Sequence, residues 1–249
     1  MGAIGQPLRR KEDVRLLTGK GCFSDDFFVE GQVYAVMVRS PHPHARIVRI
    51  KAMPTRSMPG VLGLFSGADC IADHLGPIPH SPVPSTSYDM KLTAPGGGKI
   101  FIGPHLLLPV DKARHVGEAV AMVVAETLAQ ALDAAEAVEI DYEVLPWNTD
   151  SEVAFTGGAP PVWDEVPDNV LVSTMFGDAI ATDRAFAAAT HVVQRDFRIG
   201  RVTAVPMEPR AALACYDTGT QRYTLYAGSG GAVRQSMSSP RRLGLLQIN

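Results

Sequence analysis

The run Ala119-Val120-Ala121-Met122-Val123-Val124-Ala125 constrains this chain more than any other stretch. It is far shorter than the roughly 20 apolar residues that cross a bilayer, and a valine-rich run of this length reads as a strand covered on both faces. Thr127 follows it, with Gln130 three residues on. At that spacing the two side chains can satisfy each other's orphan backbone N–H groups, so a helix is expected to start there. Leu128, Ala131, Leu132, Ala135 and Val138 recur at three and four residues and predict one apolar helix face. The period then changes to two: Val138, Ile140, Tyr142 and Val144 alternate with Glu139, Asp141 and Glu143. Val116 to Pro146 is therefore expected to be a strand–helix–strand unit joined by a right-handed crossover.

Further strands are expected over Gln32–Arg39, Ile47–Ile50 and Pro59–Phe65, with Ser66-Gly67-Ala68-Asp69 turning into a helical segment. Between the first two lies Ser40-Pro41-His42-Pro43-His44-Ala45-Arg46. Its prolines make a bend, so His42 and His44 read as structural rather than as metal ligands. Residues 76–98 shift to Pro, Ser, Gly and Thr and read as a long loop. Gly96-Gly97-Gly98 within it lacks the spacing and the following helix of a nucleotide cradle. Residues 147–169, with Gly157-Gly158 and Pro160-Pro161, read as a linker. Beyond it come a short alanine-rich helix over Ala179–Ala189 and strands over His191–Phe197, Ala211–Tyr216 and Tyr223–Tyr226. The leading segment, rich in Arg9, Arg10, Lys11 and Arg15, reads as an arm laid over a surface.

Composition excludes several classes. A net charge of −3 with scattered basic residues gives no footprint for nucleic acid. The first ten residues lack the apolar core of a signal peptide and no run is long enough for a membrane span, so a cytoplasmic protein is expected. Cys22, Cys70 and Cys215 are three, far apart and in no CxxC pair, so they read as small buried hydrophobes. No GxSxG, HExxH, Walker or strand-to-helix GxGxxG motif is present. Residue patterns alone thus reach an α/β (α+β) chain and no chemistry.

Several segments, taken together and in order, resemble the start of the molybdenum-binding large subunit of the xanthine dehydrogenase, aldehyde oxidase and carbon monoxide dehydrogenase family. They are Arg15-Leu16-Leu17-Thr18-Gly19-Lys20-Gly21 with Asp25-Asp26, Val38-Arg39-Ser40-Pro41-His42-Pro43-His44-Ala45-Arg46-Ile47, Pro59-Gly60-Val61, and His115-Val116-Gly117-Glu118-Ala119-Val120-Ala121 running to Tyr142-Glu143-Val144-Leu145-Pro146. Gly177-Asp178 and Pro206-Met207-Glu208-Pro209-Arg210-Ala211 are similar to the opening of that family's molybdopterin-binding domain. The resemblance implies an arm over residues 1–18, an α/β hammerhead domain over 19–146, the linker over 147–169, and an incomplete molybdopterin-binding α/β domain over 170–249.

The same resemblance implies hydroxylation of an N-heterocycle or aldehyde with water as the oxygen source. It implies a molybdopterin cofactor in the complete enzyme, with 2Fe-2S clusters and FAD on partner subunits, and a further polypeptide supplying the rest of the molybdopterin domain. In the run Gly228-Ser229-Gly230-Gly231, Gly230 stands where many family members carry a glutamine directed at the metal. Backbone N–H groups at Gly230 and Gly231 are accordingly the expected cofactor contacts. Ser238-Ser239-Pro240 interrupts the helix the family has next, and no catalytic residue is expected before Asn249, so this chain is expected to lack a complete active site. Glu208, His115 and Glu118 read as structural, Glu208 through backbone hydrogen bonds or a pair with Arg210 or Arg201. The alternatives to an enzyme portion are a truncated remnant and a hammerhead-fold binding or assembly module.

Overall fold

The computed structural model describes residues 5–80, 83–84, 88–155, 157–200 and 202–228. In chain order the elements are α1 (Asp13–Leu17), β1 (Tyr34–Arg39), β2 (Ala45–Lys51), α2 (Met53–Arg56), β3 (Val61–Ser66), α3 (Gly67–Ala72), β4 (Lys112–Ala113), β5 (Ala119–Ala125), α4 (Leu128–Glu136), β6 (Glu139–Val144), α5 (Ala179–Ala188), β7 (Ala212–Asp217) and β8 (Arg222–Ala227). They divide into two units: residues 33–200 form the larger, and residues 5–32 with 202–228 the smaller.

In the larger unit β5 is the central strand of the sheet β1-β5-β3, antiparallel to both neighbours, while β4-β2-β6 form a second antiparallel sheet. Val123 lies opposite Val36 on one side and Leu64 on the other, and Val120, Ala121, Val123 and Ala125 are all buried. The run reads as covered because its ladder is complete on both edges and α4 lies against its sheet. Thr127 caps α4 as expected: Gln130 N donates to the Thr127 hydroxyl at 3.3 Å, and Thr127 N donates back to Gln130 Oε1 at 3.1 Å. Leu64, Val123 and Ala134 form the core, with Val38, Ile50, Val61, Ala135 and Val138 packed around them.

Several expectations are corrected. A crossover would join parallel strands of one sheet, but the chain leaves β5, runs through α4, and enters β6 in the other sheet, antiparallel to β2. Local periodicity marks each element correctly and carries no information about which edge it joins. The face of α4 is also rotated by one residue position. Ala131 and Ala134 are buried, whereas Leu128 and Leu132 are 50% and 47% exposed, because alanines allow close approach of helix to sheet and the leucines sit at its rim. Residues 191–197 carry no strand, since no strand among the described residues supplies a ladder for them. Cys22 is exposed and Cys70 and Cys215 are half-buried, so none is a core hydrophobe.

Residues 147–169 hold to the larger unit through specific contacts. The Arg114 guanidinium stacks 3.9 Å above the Trp163 ring, Lys112 pairs with Asp164 at 2.8 Å, and Val166 is buried. Asn169 Nδ2 donates to the Ala154 and Pro160 carbonyls at 2.9 and 3.1 Å. In the smaller unit β7 and β8 form a hairpin whose turn is held by Asp217 Oδ1, which accepts Gly219 N at 2.8 Å and Thr220 N at 3.1 Å. Those donors, Thr220 N first, hold the Asp217 carboxyl below the ordinary carboxylate range.

Two outcomes follow. Gly60 sits at φ +74°, and a Cβ there would lie 2.3 Å from the Gln130 side-chain amide. Gly60→Ala should destabilise by more than about 1 kcal/mol in urea titrations, and the Gln130→Ala background should relieve the steric part of that loss while leaving the backbone part. Asp69 Oδ2 accepts both the hydroxyl and the amide of Ser66 at 2.7 Å, and the hydroxyl bond is the larger cause of its lowered pKa. This stabilisation is present above the unfolded carboxylate value of about 3.9 and is lost as pH falls through the lower folded value. Asp69→Asn should therefore reduce stability at pH 7 and make the acid limb of a stability–pH curve shallower.

Candidate functional site

The best-built polar contact of the smaller unit lies at Glu208. Pro206 and Pro209 bracket it; each fixes its own φ and withholds an N–H, so the segment crosses the surface without a regular element. Its Oε1 accepts two bonds from Ser24, from the backbone N at 3.2 Å and from the hydroxyl at 3.1 Å, across 184 residues of sequence. Ser24 is buried and opens a 3-10 turn that Asp26 closes by accepting Phe23 N at 2.8 Å. Phe27, next along, stacks on Tyr226 of β8 with ring centroids 4.5 Å apart. A Cβ on Gly228 would lie 3.5 Å from the Ser24 hydroxyl and 3.8 Å from Glu208 Oε1, so the end of β8 rests beside this pair.

The structure thus brings together three stretches singled out from sequence: the Asp25-Asp26 segment, the Glu208 motif, and the strand that enters the glycine run. Gly230 and Gly231 themselves lie outside the described residues. Glu208 does bond to backbone, but its partner is Ser24 rather than Arg210, whose Nη2 donates to the Ala204 carbonyl at 2.8 Å. Ser24 had no local signal, because nothing in its neighbourhood specifies a partner so distant. With two donors on one oxygen, Glu208 ties its segment to Ser24.

His115 and Glu118 belong to the turn that starts β5. Glu118 Oε2 accepts the Arg114 backbone N and lies 3.6 Å from His115 Nδ1, while Gly117, at φ +85°, and Glu118 exchange backbone bonds with Ser40. Together with Arg114 and Trp163 they border a cleft of about 250 Å³. His44 is buried with Nδ1 3.0 Å from the Pro146 carbonyl, and His42 meets the Tyr142 ring edge-on. Among the described residues no group of His, Cys, Asp and Glu could hold a metal ion, and no helix is long and apolar enough to cross a membrane.

A family model described as "Aldehyde oxidase and xanthine dehydrogenase, a/b hammerhead domain" matches residues 18–86 and 78–146, more than half of the chain between them. The chain belongs to the aldehyde oxidase and xanthine dehydrogenase family. A second model, the molybdopterin cofactor-binding domain, matches residues 162–239. The large subunit of nicotine 6-hydroxylase from Paenarthrobacter nicotinovorans is 38% identical over 228 residues, which are 91% of this chain and 26% of that subunit. The carbon monoxide dehydrogenase large chain of Afipia carboxidovorans is 30% identical, over 90% of this chain and 27% of its own length. Among solved structures, quinoline 2-oxidoreductase from Pseudomonas putida 86 superposes with a TM-score of 0.78 at 33% identity, covering 96% of this chain and 28% of that one. The chain therefore spans about a quarter of the length of these family members.

Molybdopterin is the cofactor of this family's second matched domain. The described part of that domain presents no group of His, Cys, Asp and Glu that could hold a metal ion. It presents the end of β8, held by the Phe27–Tyr226 stack. If Glu208 is the tether that the geometry indicates, Glu208→Ala should raise the rate of tryptic cleavage at Arg15 and Lys20 severalfold. Glu208→Gln, which keeps an acceptor for both Ser24 donors, should leave it near wild type.

Proposed function

We propose that this chain is the N-terminal portion of a molybdenum hydroxylase, an oxidoreductase that hydroxylates an N-heterocycle or aldehyde with water as the oxygen source. The observation that carries the reading is the matched pair of family domains in sequence, hammerhead over 18–146 and molybdopterin-binding over 162–239, on a fold that superposes on quinoline 2-oxidoreductase. Two relatives are named for nicotine and quinoline, both N-heterocycles, which favours that substrate class over aldehydes. In this reading residues 1–18 are an arm, 19–146 the hammerhead domain, 147–169 a strap between domains, and 170–249 the beginning of the molybdopterin domain.

The cofactor, when bound, supplies the oxygen transfer and takes up the electrons. The contribution of this chain is positional: the Ser24–Glu208 tether and the Phe27–Tyr226 stack fix the end of β8, and Gly230 and Gly231, outside the described residues, would hold the cofactor through backbone N–H groups. The rest of the molybdopterin domain completes the cofactor site, and partner subunits carry the 2Fe-2S clusters and FAD. The assembly is cytoplasmic and binds no nucleic acid.

Molybdenum analysis of the chain purified from its native host, with mass spectrometry of co-purifying polypeptides, tests this. Stoichiometric molybdenum together with a larger partner is the expected result. Absence of both from a stable, monomeric chain would instead identify a non-catalytic remnant or a binding module built on the hammerhead fold.

A further inference from the structure

The cleft beside the start of β5 holds a charged group whose hydrogen-bonding capacity is only partly used. The Arg114 side chain is 15% exposed and its guanidinium sits over the Trp163 ring at 3.9 Å, so a ligand meets it at an edge. Nη1 donates to the Lys112 carbonyl at 3.3 Å. The edge formed by Nε and Nη2 is the planar fork that takes a carboxylate through two parallel bonds. On that edge Nε is buried with no hydrogen-bond partner, and Nη2 has only Asp111 Oδ2 at 3.4 Å, a long contact. The Asp111 side chain is 56% exposed, so this pair contributes little and water takes over the carboxylate once it is displaced. The neighbouring acids are already engaged: Glu118 Oε2 accepts the Arg114 backbone N, and Asp164 pairs with Lys112 at 2.8 Å.

The remaining wall is largely apolar, built from Pro104, Leu106, Pro109 and Val162 beside Trp163. A volume of about 250 Å³ falls just below the roughly 300–1,000 Å³ of pockets for drug-sized ligands, which suits a molecule with a single ring. We propose that this cleft binds a small aromatic or heteroaromatic carboxylate. Its carboxylate takes the Nε and Nη2 edge of Arg114 in place of Asp111, and its ring lies against the proline and Val162 wall. Both parts are required. An inorganic anion leaves the apolar wall uncovered, and a neutral ring leaves the buried Nε without an acceptor, the costlier omission of the two. Val162 and Trp163 belong to the 147–169 segment, whereas Arg114 belongs to the turn before β5. An occupied cleft therefore ties that segment to the turn. The inference stands independently of the function proposed above.

Titration of the full chain with benzoate, followed by nitrogen-edited NMR, tests this, with benzamide and acetate as the probes that lack the charge and the ring. Benzoate should shift the Arg114 Nε–H and Trp163 indole N–H resonances saturably, with half-saturation at about 1 mM or below. Benzamide and acetate should bind at least tenfold more weakly. Asp111→Asn removes the competing carboxylate and should tighten benzoate at least threefold, an effect that a destabilised fold would not produce. Val162→Glu should weaken benzoate at least tenfold. Asp111 and Val162 are both exposed enough for substitution without loss of core, so melting temperatures equal to wild type are expected for the two variants. No saturable shift with benzoate, or equal binding of acetate or benzamide, would overturn the inference. So would saturable binding that leaves the Arg114 Nε–H resonance in place, or an affinity that Asp111→Asn does not raise.

Discussion

The larger unit depends on β5 having a complete ladder on both edges. A strand with Val120, Ala121, Val123 and Ala125 all buried can leave no backbone N–H or C=O unpaired, since an unsatisfied buried donor or acceptor costs about 1–3 kcal/mol. β1 and β3, on opposite sides of β5 in the sheet and far from it in sequence, meet that demand, and their registers set Val36 and Leu64 against Val123. Once β5 is fixed, α4 follows from its capping box, and the alanine face of α4 sets how closely helix and sheet approach. β6 is then delivered to β2 in the other sheet, and Ile50 of β2 joins the core cluster from there.

A different kind of constraint governs the smaller unit. A two-stranded hairpin is marginal on its own. Here it gains the Phe27–Tyr226 stack and a carboxylate that accepts two bonds from a buried serine, each a charge-assisted hydrogen bond stronger than a neutral one. The consequence is that a segment near the N-terminus fixes the end of β8, the strand that leads into the glycine run. In this arrangement Glu208 serves by holding backbone, and its position between two prolines keeps its own segment from drifting into a regular element that would turn the carboxylate away.

Legibility from sequence divided along physical lines. Features set by neighbours within four residues could be read: the β5 run, the Thr127–Gln130 cap, the β7–β8 hairpin and the alanine-rich helix α5. Features set by distant partners could not. The crossover was expected because apolar and period-two patterns say which residues are strand without saying whose edge they join. The face of α4 was misplaced by one position because Leu128, Ala131, Leu132 and Ala135 satisfy the helical period as well as Ala131, Ala134, Ala135 and Val138 do; size at the contact, and not period, made the choice. The Ser24 partner of Glu208 lies 184 residues away and had no local signal. The family itself was legible because its segments recur in fixed order, which requires no knowledge of contacts.

The uneven burial along the chain ties fold to function. Residues 33–146 bury a continuous core, whereas α5 has no buried residue and the stretch after it keeps valine, phenylalanine and isoleucine in solvent. Strand patterning at 191–199 and helical patterning at 179–188 are both sound by local rules, so the sequence is written for elements that need faces to pack on. Agreement between local pattern and global burial is what distinguishes a self-sufficient domain from part of one. Residues 33–146 meet that criterion, whereas the stretch over 179–199 carries the pattern without the burial.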